Sequence, residues 1–253
     1  MERIIEISKL KKTYQGEAVI NGLDLSIPTG SIFGLIGPNG AGKSTLMGIL
    51  TGILGYDEGT IKIDDLELNE EHEQEIKQRS ASVLQPPLLF EHFTSHDFLI
   101  YICDMYNIPE DNRKERIDSL LDYLGILEFQ HVKVSKLSAG SRKKLSFCAA
   151  VLSDPNVLFL DEPFESVDVI SIGRMKTILK KLKAKGVSII ITSHILEIVE
   201  NLCDDIAILH EGNLIAYLDS KTRKELQKDS SLSEIFESYI EVEHPRDDVL
   251  KWL

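Results

Sequence analysis

The chain has 253 residues, of which 43% are hydrophobic, and this is enough for one large domain with a sizeable core. Lys and Arg number 28 against 41 Asp and Glu, which gives a formal net charge of −13. Such an acidic balance argues against nucleic-acid wrapping and against direct binding to anionic lipid. We therefore expect no nucleic-acid partner.

Cysteine usage and hydropathy indicate the compartment. Cys103, Cys148 and Cys203 are isolated in the sequence and odd in number, so we expect buried, reduced thiols and no metal site there. The N-terminal residues carry no secretory signal. No run approaches the ~20 apolar residues that cross a bilayer. These features predict a cytoplasmic protein.

The first predicted elements are strands that lead to a glycine-rich loop. Residues 4–7 alternate like an edge strand, residues 23–27 do the same, and the apolar run 32–36 predicts a buried strand. A helix-like pattern follows at 45–50. The loop before this helix fits the pattern G-x-x-x-x-G-K-[ST] and contains Gly37, Pro38, Asn39, Gly40, Ala41, Gly42, Lys43, Ser44 and Thr45.

This loop predicts nucleotide binding. Its glycines let successive backbone N–H groups curve around a polyphosphate, and the following helix adds a positive N-terminal end. Lys43 is placed to reach the β- and γ-phosphates, and the Ser44 hydroxyl is placed to bind Mg²⁺. The alternative is a glycine-rich turn with an incidental lysine, which does not account for the strand–loop–helix context.

The middle of the chain changes from strands to helices. Residues 61–63 predict a short strand, residues 70–78 a polar surface helix, and residues 81–84 a further strand that ends at Gln85. From Ser95 to about Leu152, apolar residues recur at helical spacing. This pattern predicts an all-helical lobe.

A second helix N-terminus, within this lobe, also suits an anion. Ser138 is a natural N-cap residue, and Gly140 allows a close approach of the backbone. One nucleotide does not easily use two such helix ends of the same chain. We therefore expect the second helix end to contact a nucleotide bound by a neighbouring subunit.

The apolar strand predicted at 157–160 is followed by two carboxylates, Asp161 and Glu162. Burying adjacent charges is costly unless a cation or a substrate meets them. In open α/β sheets, ligands lie beyond the carboxyl ends of the strands. We expect Asp161 to hold Mg²⁺, directly or through water, and Glu162 to polarise a water that attacks the γ-phosphate. For Glu162, a capping role at a strand-to-helix turn is the alternative.

The remaining elements complete the core and add a tail. Residues 170–182 predict a helix, residues 187–191 a buried strand followed by His194, and residues 206–217 a hairpin. Residues 221–253 predict a tail of two short helices. We expect its apolar stripe to pack on the domain or on a partner's tail; the stripe comprises Leu232, Ile235, Phe236 and Tyr239.

Together these motifs resemble those of the ATP-binding-cassette (ABC) ATPases, the nucleotide-binding subunits of ABC transporters. The resemblance covers roughly residues 1–220. The matching positions are Tyr14 for the adenine-stacking aromatic residue, Gln85 for the Q-loop glutamine, Ser138, Ala139, Gly140 and Ser141 for the signature motif, Asp161 and Glu162 for the metal-binding and catalytic carboxylates, Asp168 for the D-loop, and His194 for the catalytic switch histidine.

The resemblance implies an α/β fold. Its core would be a P-loop NTPase core, with a RecA-like mixed sheet and an antiparallel β subdomain, into which an all-helical subdomain is inserted. The ATPase domain would span residues 1–220, with the helical subdomain at about 95–152, and a short helical tail would follow at 221–253. The implied cofactors are ATP and Mg²⁺, and the implied metal ligands are Ser44, Gln85 and Asp161.

The resemblance also implies partners. These are a membrane-embedded transporter subunit and a second ABC ATPase, in a homodimer or a heterodimer, so the chain would lie at the inner face of the cell membrane. The helical stretch 93–109 resembles the ABC-2-type exporter branch, which favours export. One alternative is a soluble ABC-type ATPase not tied to transport. Another is a P-loop small-molecule kinase, which leaves the signature segment and His194 unexplained.

Four residues depart from the commonest form of the family's motifs. Ala139 and Ser141 stand where that form has glycine and glutamine, Phe164 replaces a threonine, and Glu165 replaces a small residue. None of these changes affects Lys43, Glu162 or His194, so we expect ATP hydrolysis to be retained.

Overall fold

A computed structural model of the protein describes residues 2–226 and 230–240. Of the tail predicted at 221–253, residues 227–229 and 241–253 lie outside the described residues. Two β-sheets form the framework. Their strands are β1 (Arg3–Tyr14), β2 (Glu17–Pro28), β3 (Ile32–Ile36), β4 (Glu58–Ile63), β5 (Leu66–Glu67), β6 (Ser80–Val83), β7 (Val157–Asp161), β8 (Ser188–Thr192), β9 (Asp205–His210) and β10 (Asn213–Leu218).

One sheet is antiparallel and has four strands in the order β2–β1–β4–β5. The prediction that residues 4–7 form an edge strand is wrong, because β1 pairs with β2 on one side and with β4 on the other. Alternation of apolar and polar residues reports that one face of a strand is buried, and it carries no information about paired edges. The strand predicted at 23–27 is confirmed within β2.

The other sheet has six strands in the order β10–β9–β3–β8–β7–β6. Its neighbouring strands run parallel except for β10, which forms the predicted antiparallel hairpin with β9. The five residues of β3 are all buried, as are those of β7 and β8. Apolar runs of this kind are typical of parallel strands with both faces covered. The predicted mixed sheet is therefore confirmed.

Nine α-helices lie within the described residues: α1 (Lys43–Leu50), α2 (Glu73–Arg79), α3 (Ser95–Met105), α4 (Arg113–Tyr123), α5 (Ala139–Leu152), α6 (Val169–Ala184), α7 (Leu196–Leu202), α8 (Ser220–Leu226) and α9 (Leu232–Tyr239). None of them is long and apolar enough to cross a membrane. Helices α3, α4 and α5 form the helical lobe between β6 and β7, where the periodicity predicts it.

Successive residues of the six-stranded sheet enter two different cores. Ile32 and Ile36 of β3 belong to the core that includes the helical lobe, whereas Phe33 and Leu35 belong to the core shared with β1, β2 and α1. This alternation follows from the two-residue period of a strand. The sheet is thus fixed from both sides, and its carboxyl ends form a rigid base for side chains.

The predicted tail stripe packs against the domain through Leu232, Ile235 and Phe236, whereas Tyr239 is 44% exposed. Helix α9 begins with a capping box in which Ser231 and Glu234 exchange hydrogen bonds, and it contacts α7. Leu232 and Ile235 are buried in the same core as the helical lobe.

The expectation of buried free thiols is also confirmed, since all three cysteines are buried and none forms a disulfide.

Candidate nucleotide-binding and catalytic site

The glycine-rich loop joins the buried strand β3 to helix α1, as the sequence predicts. Gly42 is the N-cap residue of α1 and has a φ of 103°, a backbone conformation that favours glycine. A Cβ atom at this position would lie 2.7 Å from the carbonyl oxygen of Val19. The loop therefore requires glycine here, and its backbone N–H groups meet at the positive end of α1.

Lys43 lies inside the loop and is only 8% exposed. Its Nζ donates hydrogen bonds to the carbonyl oxygens of Gly37, at 2.7 Å, and of Pro38, at 3.0 Å. Burial lowers the pKa of the Lys43 ammonium, against the attraction of Glu162 and Asp161. The ammonium is thus partly desolvated and close to two carboxylates. This suits it to bind a polyphosphate that lies between the ammonium and the carboxylates.

The two carboxylates predicted at the end of β7 are joined by a threonine. Asp161 pairs with Thr192 across the parallel strands β7 and β8, and the Thr192 hydroxyl donates to Asp161 Oδ1 at 2.5 Å. The same hydroxyl oxygen accepts a hydrogen bond from the backbone N–H of Glu162 at 3.0 Å. Thr192 therefore orients both acidic residues. Sequence analysis missed this role, although a polar residue that closes an apolar strand was a usable signal.

Glu162 and His194, which the sequence predicts to be catalytic, contact each other in the structure. Glu162 Oε2 lies 2.9 Å from His194 Nδ1 and accepts a hydrogen bond from the His194 backbone N–H at 3.3 Å. The Glu162 backbone has a φ of 47°, which turns the chain sharply after β7. The carboxyl side chain is 13% exposed and the imidazole 56% exposed. The pair is held together at the rim of the site.

The glycine-rich loop, Glu162, His194 and Gln85 line one cavity of about 720 Å³. Its lining residues are Val19, Asn39, Gly40, Gly42, Lys43, Ser44, Thr45, Gln85, Glu162, Glu165 and His194. Gln85 Nε2 donates a hydrogen bond to the Glu165 carboxylate, a contact that sequence analysis did not predict. Tyr14 is 44% exposed, has Lys12 Nζ 5.2 Å from its ring centroid, and is not among the lining residues. Its stacking role stays a prediction.

The signature residues lie outside this cavity. Ser138 is the N-cap of α5, as predicted, and its Oγ accepts a hydrogen bond from the Ser141 backbone N–H at 3.1 Å. Ala139 lines a separate cavity beside Gln85 and Ser166. Gly140 approaches the D-loop so closely that a Cβ atom would lie 2.5 Å from the Ser166 carbonyl oxygen. Their predicted contact with a neighbouring subunit's nucleotide stays a prediction.

Asp168 acts in this structure as the N-cap of α6. Its Oδ1 accepts a hydrogen bond from the Ser171 backbone N–H at 2.9 Å, and Lys144 Nζ lies 3.4 Å from its Oδ2. The hydrogen bonds from Ser171, with help from Lys144, lower the pKa of Asp168 to about 2. The D-loop is therefore fixed to the start of α6.

The donor set beside the loop fits Mg²⁺. Ser44 Oγ lies 3.4 Å from Asp161 Oδ1, so a hydroxyl and a carboxylate meet at one point, and Gln85, whose side chain includes an amide oxygen, lines the same cavity. Within the described residues, no cluster of three or more His, Cys, Asp or Glu side chains forms a metal site. In nucleotide-binding sites, Mg²⁺ binds only a few protein oxygens and completes its coordination with oxygens of water and of the phosphates.

Comparison with known proteins decides the family. Residues 20–165 match the ABC transporter family. The chain belongs to that family. It is 32% identical over 243 residues to a lantibiotic transport ATP-binding protein of Streptococcus pyogenes, a match that covers 96% of this chain and 100% of the relative. It is also 32% identical to the linearmycin resistance ATP-binding protein of Bacillus subtilis, over 84% of this chain and 68% of the relative.

Solved structures agree with this result. The ABC ATPase superimposes on the ATP-binding subunit of an ABC transporter with a TM-score of 0.86, at 27% identity, over 93% of this chain and 99% of the other. It shares its fold, at 20% identity and a TM-score of 0.78, with a dimeric ATP-binding cassette bound to ADP and phosphate, over 85% of this chain and 98% of that one. The ABC ATPase thus binds and hydrolyses ATP.

Replacing the buried lysine of the loop is expected to weaken ATP binding. The Lys43→Ala variant removes the only ammonium that lines the cavity within the described residues, and a charge-assisted hydrogen bond contributes about 1.5–3 kcal/mol. We expect the ABC ATPase variant to bind ATP and magnesium at least about tenfold more weakly, as measured by isothermal titration calorimetry. Lys62→Ala, at an exposed position on β4, is the matched control. Unchanged affinity in Lys43→Ala would contradict the loop assignment.

Proposed function

We propose that this ABC ATPase powers the movement of a solute through a separate membrane subunit, in the direction of export. The observation that carries the proposal is the meeting of Lys43, Glu162 and His194 at one cavity on a chain of this family. Relatives named for lantibiotic transport and bacitracin transport support a role in transport, and a relative named for Nod factor export supports the direction.

Each residue of the site has a proposed role. The backbone of the glycine-rich loop and Lys43 bind the β- and γ-phosphates. Glu162 accepts a proton from the attacking water, and His194, whose imidazole contacts Glu162, donates a hydrogen bond to the γ-phosphate. Ser44, Gln85 and Asp161 hold Mg²⁺, which neutralises charge on the phosphates when bound.

The active form is proposed to be a dimer of ATPase subunits. The signature residues Ser138, Ala139, Gly140 and Ser141 do not line the cavity of their own chain, so a nucleotide held there is free to meet the signature helix of a second chain. The N-terminus of α5 then supplies backbone N–H groups to the γ-phosphate. The second chain is either another copy or a related ATPase. Dimeric cassettes of the same fold support this arrangement.

The proposed dock for the membrane subunit is the loop after β6. Leu88 is 70% exposed and Phe90 48% exposed, and the Phe90 ring lies 5.2 Å from that of Tyr101. Leu89 and Phe93 instead pack against the protein's own core. An exposed apolar patch beside Gln85 suits a helix of a membrane protein. Binding there would couple the membrane subunit to the nucleotide site and would keep the chain at the inner face of the membrane.

A negative charge introduced at the proposed dock is expected to prevent the membrane subunit from binding this chain. We expect Phe90→Asp and Leu88→Asp to abolish co-purification with a tagged membrane subunit encoded beside this chain, while basal ATPase activity stays within about twofold, since neither residue lines the ATP cavity. Tyr239→Asp, at a similarly exposed aromatic residue on α9, is the matched control. A charge at half-buried Leu89 is less informative because it would disturb the core.

The same experiment tests the function itself. If no membrane protein co-purifies with the chain from native cells, the alternative of an ABC-type ATPase not tied to transport replaces the proposal. If a membrane protein co-purifies and the Phe90→Asp variant still binds it, transport stands and the proposed dock is wrong.

A further inference from the structure

A buried lysine beside the catalytic carboxylates has no hydrogen-bond partner. Lys143 lies on α5, is 4% exposed, and its Nζ makes no hydrogen bond in the part of the chain that the structure describes. An isolated buried ammonium is costly unless another group compensates its charge. The role of Lys143 must therefore be sought in a second state of the molecule, in which the ammonium finds an anion.

Glu165 is the strongest candidate for that anion. Lys143 and Glu165 line the same cavity of about 320 Å³, between the helical lobe and the core. Burial lowers the pKa of the Lys143 ammonium, and of the three carboxylates that oppose this effect Glu165 is the strongest. Arg142 also lines the cavity, but its guanidinium is paired with Glu91. Glu165 is also one of the residues that depart from the commonest family motif.

Glu165 stands between two sites. Its carboxylate accepts the hydrogen bond of Gln85 Nε2, and it also lines the cavity that takes the nucleotide. A triphosphate in that cavity would repel the Glu165 carboxylate, because like charges at short range in a partly dry site are strongly unfavourable. Gln85, if it turns to the metal, would leave this carboxylate without its partner.

We infer that Lys143 is a positioning residue that releases Gln85 to the nucleotide. In this structure, Glu165 accepts the hydrogen bond of Gln85 Nε2, and Lys143 Nζ has no hydrogen-bond partner among the described residues. When ATP binds, Glu165 turns away from the phosphates and pairs with Lys143, and Gln85 becomes free to contact the metal. Lys143, which is unpaired in the first state, thus becomes the partner of Glu165 in the second. This inference rests on the proposed role of Gln85 as a metal ligand.

The first test separates this role from a structural one. In the Lys143→Met variant, the nucleotide-free protein loses an uncompensated buried charge, so its Tm should rise by about 2–4 °C. The kcat for ATP should nevertheless fall about tenfold, with KM within about twofold, because the loop still binds the phosphates. Lys143→Arg should recover most of the activity. A fall in Tm together with unchanged kcat would overturn the inference.

The second test asks whether Lys143 acts through Glu165 and Gln85. Glu165→Gln keeps an oxygen that can accept a hydrogen bond from Gln85 and removes the negative charge. In that background, Lys143→Met should therefore lower kcat by less than about twofold. In a Gln85→Ala background, Lys143→Met should lower kcat equally little. A full tenfold loss in both backgrounds would refute the partner exchange. Wild-type activity in Gln85→Ala alone would refute the metal role of Gln85, and this inference with it.

Discussion

The Glu162→Gln variant is expected to bind ATP as tightly as the native protein and to lose about 10²–10⁴-fold in turnover. The amide keeps an oxygen that can accept from the His194 backbone N–H, so the geometry of the pair is retained. It cannot accept the proton of the attacking water, and this is the step that the carboxylate is proposed to serve. Steady-state ATP hydrolysis and calorimetric ATP affinity, measured on the same preparation, check both halves of the expectation.

Blocked hydrolysis should also trap the dimer. If two subunits close around ATP and open after hydrolysis, Glu162→Gln should move from monomer to dimer in size-exclusion chromatography when ATP and magnesium are added. Glu67→Gln, at an exposed position on β5, makes the same chemical change away from the site and should behave as the native protein. Native turnover in Glu162→Gln would show that another group accepts the proton.

The Gly140→Asp variant is expected to lose at least about 100-fold in turnover while its own loop still binds ATP. Two effects combine. A Cβ atom at this position lies 2.5 Å from the Ser166 carbonyl oxygen, so any side chain displaces the D-loop. The added carboxylate would in addition face the γ-phosphate held by the second subunit, where like charges repel strongly.

Gly140→Ala separates these two effects. It introduces the same steric conflict with Ser166 without the charge, so its activity should lie between those of the native protein and Gly140→Asp. Mixing Gly140→Asp with Lys43→Ala protein then tests the composite site. In a dimer of the two variants, the added carboxylate and the missing Lys43 ammonium fall on one site. The other site carries only the displacement of the D-loop, so part of the activity should return. Full activity of Gly140→Asp at high dilution would refute a site shared between two chains.

The sequence alone predicts that residues at or just after the ends of buried strands meet at one cavity. The glycine-rich loop follows β3, the two carboxylates lie at the end of β7, and His194 comes shortly after β8. Parallel strands bring such ends to one edge of a sheet. The hydrogen bonds that join these residues could not be predicted from the strand pattern. Thr192 orients Asp161 and Glu162 because of the register between β7 and β8, which a strand pattern alone does not reveal.

Contacts between residues far apart in sequence were not predicted. Gln85 and Glu165 are 80 residues apart, and they meet because the strands that precede them, β6 and β7, are neighbours in the sheet. The unpaired state of Lys143 likewise depends on which carboxylates surround it, and no local pattern carries that information. The roles predicted for Tyr14 and the signature residues involve a nucleotide or a second chain, so a single free chain does not test them.

The strand order of the six-stranded sheet has a consequence for synthesis. β3 is an inner strand whose partners are β8 and β9. About 150 residues separate Ile36 from Ser188, and a ribosome needs about 8–30 s to translate them. Until then both edges of a fully apolar strand lack their partners in the emerging chain. The nascent protein is therefore exposed to aggregation for most of its translation, and it should depend on co-translational chaperones.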